Sequence, residues 1–203
     1  MPVGSNNFMN TITTEQKSVK DFIQLILIDN IGDLVSSGNH FLGIGLQTQA
    51  IELIGSIIED EAIEAKQSTP QSEFETQRKS RRRFFNALKL FSNPNYIKYC
   101  PELNTSPYYN QDYDLYKNLR CGYAHQMRPL GKIVITTELE SYRDGTSHLE
   151  IESKSNFLVI VSEFLYRDLK EACFNVIQMI DNNKINHTKP YGNFLDITIF
   201  EKK

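Results

Sequence analysis

Arg120 and His125 are the residues whose types and spacing point most directly to chemistry. They lie in the stretch Leu119-Arg120-Cys121-Gly122-Tyr123-Ala124-His125. An imidazole that is neutral near pH 7 can take a proton from a ribose 2′-hydroxyl. A guanidinium can hold the phosphate and the charge that builds on it as the 2′-oxygen attacks. That route needs no metal ion. The spacing sets a condition, because five residues of unbroken α-helix turn about 500° and leave the two side chains about 140° apart. Either the backbone bends at Gly122, which tolerates a bend, or the site is assembled from two chains. The plainer alternative is an Arg120 paired with a nearby carboxylate such as Asp114, with His125 capping a turn.

A second pair of the same spacing, Arg143 and His148, straddles a predicted turn and reads as two solvated polar residues. The run Arg78-Lys79-Ser80-Arg81-Arg82-Arg83 offers cations for phosphate contacts, Arg78, Arg81 and Arg82 on one side of a helix. Its other reading is a solvated face paired with Glu73 and Glu75. Tyr96, Tyr99, Tyr108, Tyr109, Tyr113, Tyr116 and Tyr123 crowd before and inside the Arg–His segment. Bases stack on such rings, Tyr116 and Tyr123 being nearest the motif; equally, amphipathic rings pack a Pro-rich loop onto a core.

The stretch DLYKNLRCGYAH, with its Arg-x4-His, resembles the signature of the HEPN superfamily (higher eukaryotes and prokaryotes nucleotide-binding domains). The resemblance implies a bundle of four or five helices, a homodimer whose motif pairs face one cleft, and metal-independent endoribonuclease activity by 2′-hydroxyl attack. It implies roles in stress response or phage defence, with RNA as substrate and a protein partner such as an antitoxin. Carried over, Arg120 binds the phosphate and His125 is the acid or base. Active members place Asn, Asp or His directly after the arginine, where this chain has Cys121. A thiol is a poor hydrogen-bonding substitute, so a non-catalytic module that binds a nucleotide or a protein is the alternative.

The elements that must position these residues are mainly helical. Residues 1–13 read as a loose tail and 14–203 as a single domain. A first helix begins near Thr14 as N-cap, and Val19, Phe22, Ile23, Ile26 and Leu27 follow at helical spacing. Leu46, Ala50, Leu53, Ile54, Ile57 and Ile58 make one apolar stripe on a second helix that runs to about Ala65. Residues 67–72 form a linker around Pro70. A third helix spans about 73–91, and 92–110 is an irregular loop with one helical turn at Tyr96–Tyr99. Residues 111–121 form a short helix that Gly122 ends or bends. KIVITTEL (132–139), Asp144-Gly145 and HLEIES (148–153) together predict an antiparallel β-hairpin. A long amphipathic helix covers about 156–181, with Val161, Leu165, Leu169, Ala172, Val176 and Ile180 on its core face. NFLDITIF (193–200) could add a strand to the hairpin.

Composition excludes several classes. Apolar residues make up 40%, too many for a disordered chain. A net charge of −3 gives no global field to attract nucleic acid, so any RNA contact is local. Three cysteines without a C-x-x-C pattern fit a reducing, cytoplasmic setting. No signal peptide or membrane span is expected. The four scattered His show no ligand spacing, so no metal or other cofactor is called for. Gly43-Ile44-Gly45 lacks the strand context of a dinucleotide site and reads as a close helix contact. Glu59, Asp60, Glu61 and Glu64 read as a solvated helix end.

Overall fold

The structure, a computed structural model, describes residues 13–16, 19–59, 73–101, 107–185 and 196–199. The linker at 67–72, the acidic residues Asp60, Glu61 and Glu64, and the closing Pro190 and Gly192 lie outside the described residues, as does most of the tail.

Seven helices are present among the described residues. The first, α1, runs without a break through Val19–Phe22, a π-helical stretch Ile23–Asn30, and Ile31–Ser36. Val19, Ile23, Leu27, Ile31 and Val35 recur at every fourth position, and all five are buried. A helix of 3.6 residues per turn would let that row drift around the axis. The wider winding of the π stretch keeps it on the core. The expected N-cap, Thr14, is instead in a strand, β1 (Thr13–Gln16), which pairs antiparallel with β4 (Asp196–Ile199). The C-terminal strand therefore joins the start of the chain and not the middle.

α2 (His40–Ile58) is the central helix, packed on α3 (Glu73–Leu88) and on α7 (Ser162–Asp181). It begins six residues before the expected apolar stripe, and Leu46 at the head of that stripe is about half exposed. The buried face is Ile44, Gln47, Ala50, Ile51, Ile54 and Ile57. Gly55 allows the closest approach, since a Cβ there would collide with the Arg83 backbone. α2 is long and apolar enough to cross a membrane by length and composition, but 56% of that window is buried inside the fold.

A single turn, α4 (Asn95–Lys98), precedes α5, which joins a π-helical stretch Leu115–Arg120 to an α-helical one, Cys121–Gln126. Asp114 is its N-cap, accepting from Lys117 N at 3.1 Å. The same carboxylate, wholly buried, takes Arg81 Nη1 at 2.8 Å and Asn110 N at 2.7 Å.

The predicted hairpin at 132–153 is not formed. β2 (Ile133–Thr136) pairs in parallel with β3 (Leu158–Val161), Ile133 opposite Leu158 and Thr136 opposite Val161. Between them lies α6 (Glu138–Asp144). Thr137-Glu138-Leu139-Glu140 is a helix-start signature, with the Thr137 hydroxyl accepting from Glu140 N at 3.2 Å. Gly145, at φ 64°, ends the helix in the left-handed conformation. The Asp-Gly pair thus stops a helix where a hairpin turn was expected. HLEIES contributes one isolated bridge, Ile151 to Leu158. The all-apolar Leu-Val-Ile-Val of β3 is buried throughout, so α7 starts at Ser162 and not near 156.

Asp114→Ala should lower unfolding stability by about 3–5 kcal/mol, because it strands a buried guanidinium and removes a cap. Arg78→Ala, at an exposed position, should stay within about 0.5 kcal/mol. Urea denaturation of both variants checks the contrast.

Candidate functional site

Arg120 is the last residue of the π-helical stretch of α5, and His125 sits five residues on in its α-helical part. The helix continues unbroken through Gly122. That glycine serves a close approach, since a Cβ there would press on the Arg128 carbonyl and Leu130. Gly122 therefore does not end the helix, and the left-handed residue that ends α5 is Met127, φ 56°. With five α-helical steps between them, the two side chains leave the helix about 140° apart and about 7.5 Å apart along its axis. They do not converge on one phosphate within a protomer.

Their surroundings differ as well. His125 is exposed. Arg120 is mostly buried, at 17% side-chain exposure, with its Nε 2.5 Å from Glu52 Oε2 on α2. The contact is electrostatic, since the N–H is not directed at the oxygen. The other Glu52 oxygen accepts from the hydroxyl of Ser80 on α3. Arg120 Nη1 is 4.0 Å from Cys121 Sγ, and its Cζ lies 5.8 Å from the Tyr116 ring centroid. Burial works against the charged guanidinium, but Glu52, Tyr116 and Cys121 outweigh it, and the pKa is raised. Arg120 does pair with a carboxylate, but that carboxylate is Glu52; Asp114 belongs to Arg81.

The remaining predicted RNA contacts are largely drawn into the fold. Arg81 is buried between Asp114, the Pro101 carbonyl at 3.2 Å and Asn110 Oδ1 at 2.9 Å, and is stacked on Tyr109 and Tyr116. Arg82 is forked onto Glu59 at 2.9 and 3.2 Å. Glu59 is therefore an internal partner of α3, not a solvated helix end. Arg78 is exposed, and Arg82, though paired, keeps 41% of its side chain exposed. Tyr116 and Tyr123 are buried and offer no face to a base. Tyr116 packs edge-on against Phe84. Tyr123 lies against Phe41 and Gly45, and burial pushes its phenol up to about 12. The close contacts read from Gly43-Ile44-Gly45 are thus with α5 at Gly45 and with Val35 of α1 at Gly43. Tyr99, Tyr108 and Tyr113 pack on one another, as a loop settling on a core requires.

His148 is not a solvated turn residue. Its Nδ1 accepts from Val161 N at 2.9 Å, so the neutral ring carries its proton on Nε2 and donates to Tyr96 Oη at 2.7 Å. Arg143, by contrast, is exposed and paired with Glu140. A cleft of about 450 Å³ between the end of α1, the start of α2 and α7 is lined by His40, Glu163, Tyr166, Arg167 and Lys170, and neither motif residue borders it. Among the described residues no group of three His, Cys, Asp or Glu is placed to hold a metal ion. Glu52 and Ser80 escaped sequence reasoning; the available signal was a lone acid in the apolar run Ile51-Glu52-Leu53-Ile54. Comparison of the chain with protein-family models, curated proteins and solved structures finds no match.

Burial pushes the His148 imidazole down from 6.5 to about 4. The unfolded chain takes up this proton near pH 6.5 and the folded one only near 4. The stabilising contribution is complete above the unfolded value and is lost as pH falls through that window. NMR should show His148 neutral at pH 5. His148→Gln should flatten the fall in urea midpoint between those pH values.

Proposed function

We propose that this chain is a metal-independent endoribonuclease of the HEPN type, active as a homodimer. The observation that carries this reading is that one helix bears both an anchored guanidinium, Arg120 on Glu52, and an exposed imidazole, His125. In the reaction, His125 takes the proton of a ribose 2′-hydroxyl, and the 2′-oxygen attacks the adjacent phosphorus. The 5′-oxygen leaves with a proton from the imidazolium so formed or from water, and a 2′,3′-cyclic phosphate remains. The Nη edge of Arg120 holds the charge on the phosphate oxygens.

A single protomer does not aim both groups at one phosphate, so the reading requires a second copy. A surface suited to one is near at hand. Phe41, Leu42 and Leu46 on α2 and Met127 after α5 are each about half exposed, and Phe41 touches Tyr123 of the motif helix. An apolar patch of this kind is stabilised by burial against its own copy around a two-fold axis. The unpaired thiols of Cys100, Cys121 and Cys173 fit a cytoplasmic setting.

A second reading, a non-catalytic module for a nucleotide or a protein partner, is favoured by two observations. Cys121 stands where a polar residue would, and Arg81, Arg82, Tyr116 and Tyr123 are committed to internal contacts.

Incubation of purified protein with mixed RNA in EDTA separates the two readings. Wild type should leave 2′,3′-cyclic ends, and Arg120→Ala and His125→Ala should each cleave at least about 100-fold more slowly. No cleavage by wild type, or equal cleavage by all three proteins, removes the nuclease and leaves the binding module.

A further inference from the structure

Glu52 is a carboxylate that the reaction above leaves without a task. It sits on α2 among Ala50, Ile51, Ile54 and Ile57, all buried, and its own side chain is only 18% exposed. Burying a carboxylate and a guanidinium together costs both of them hydration, and apolar packing of the same volume is often the more stable solution. The pair is therefore poorly explained by stability alone. Its geometry suggests a use. Ser80 of α3 fixes one carboxylate oxygen, and the other lies 2.5 Å from Arg120 Nε, so the closest charge contact is made at Nε. The residue directly after Arg120 does not provide this hold, since Cys121 Sγ is a weak acceptor 4.0 Å from Nη1.

We propose that Glu52, held in place by Ser80, is a positioning residue that aims the Arg120 guanidinium at the scissile phosphate. It does not touch the RNA. It removes freedom from a long side chain before substrate arrives, and small losses of alignment at a reacting phosphate are costly in rate. The inference rests on the nuclease reading.

The test uses the full chain and a short single-stranded RNA. Glu52→Gln should lower kcat by about 10- to 100-fold and leave KM nearly unchanged. Ser80→Ala, which keeps the charge pair, should shift kcat in the same direction by less, and it carries the test if Glu52→Gln does not fold. A purely structural role would not move a third readout. Millimolar guanidinium should restore cleavage to Arg120→Gly when Glu52 is present, and should fail to do so in the Glu52→Gln, Arg120→Gly double variant. Wild-type kcat in folded Glu52→Gln or Ser80→Ala overturns the proposal, as does equal rescue of both backgrounds. Tighter RNA binding with faster cleavage by Glu52→Gln also overturns it, by showing a carboxylate that competes with the phosphate. If wild type itself does not cleave, the nuclease reading falls and takes this inference with it.

Discussion

Asp114, a carboxylate with no exposure to solvent, binds Arg81 of α3 and caps the helix that carries Arg120 and His125. The same guanidinium reaches the carbonyl of Pro101 and the side chain of Asn110, so the loop ahead of α5 is gathered onto one charge pair. Neither charge would be tolerated alone at this depth, and each extra hydrogen bond offsets part of the lost hydration. The start of α5 is fixed in direction by this arrangement, and with it the angle at which the motif helix crosses α2. Phe84 and Tyr116 close the apolar side of the same junction.

Downstream of that cap, the helix changes winding at Arg120. The π-helical turn before it brings Leu115 and Leu119 onto the core, and the α-helical turn after it buries Tyr123 against Gly45. π stretches of this kind often accompany functional sites, because they turn one side chain out of the regular pattern. Here the residue that ends the π stretch, Arg120, meets Glu52. Arg81, buried, and Arg120, mostly buried, both approach the ring of Tyr116, at 4.7 and 5.8 Å from its centroid, one serving the cap and the other facing Glu52.

Elements set by local chemistry were legible in the sequence. α3, the turn α4 and the core face of α7 follow from periodicity: Leu165, Leu169, Ala172, Val176 and Ile180 are buried on that helix, while Val161, expected at its start, closes β3 instead. The π stretches were legible in principle, from apolar residues at strict fourth positions between Val19 and Val35. The expected hairpin does not form because Thr137 and Glu140 specify a helix start, and Asp144-Gly145, a common turn pair, ends that helix. The fate of the basic run was not legible. Arg81, Arg82 and Arg120 find Asp114, Glu59 and Glu52 only through tertiary packing, and spacing along the chain carries no trace of those partners. The helix end expected at Gly122 is not there: α5 continues through it, changes winding at Arg120 and ends at Met127, none of which the Arg–His spacing carries.

If Arg120 of one copy works with His125 of another, two inactive variants hold the parts of an active enzyme between them. Arg120→Ala and His125→Ala, mixed and allowed to exchange subunits, should recover on the order of a quarter of wild-type cleavage, since about half the dimers are mixed and one of the two sites in each is intact. Mixing that restores nothing, with both variants folded and dimeric, contradicts a site shared between copies.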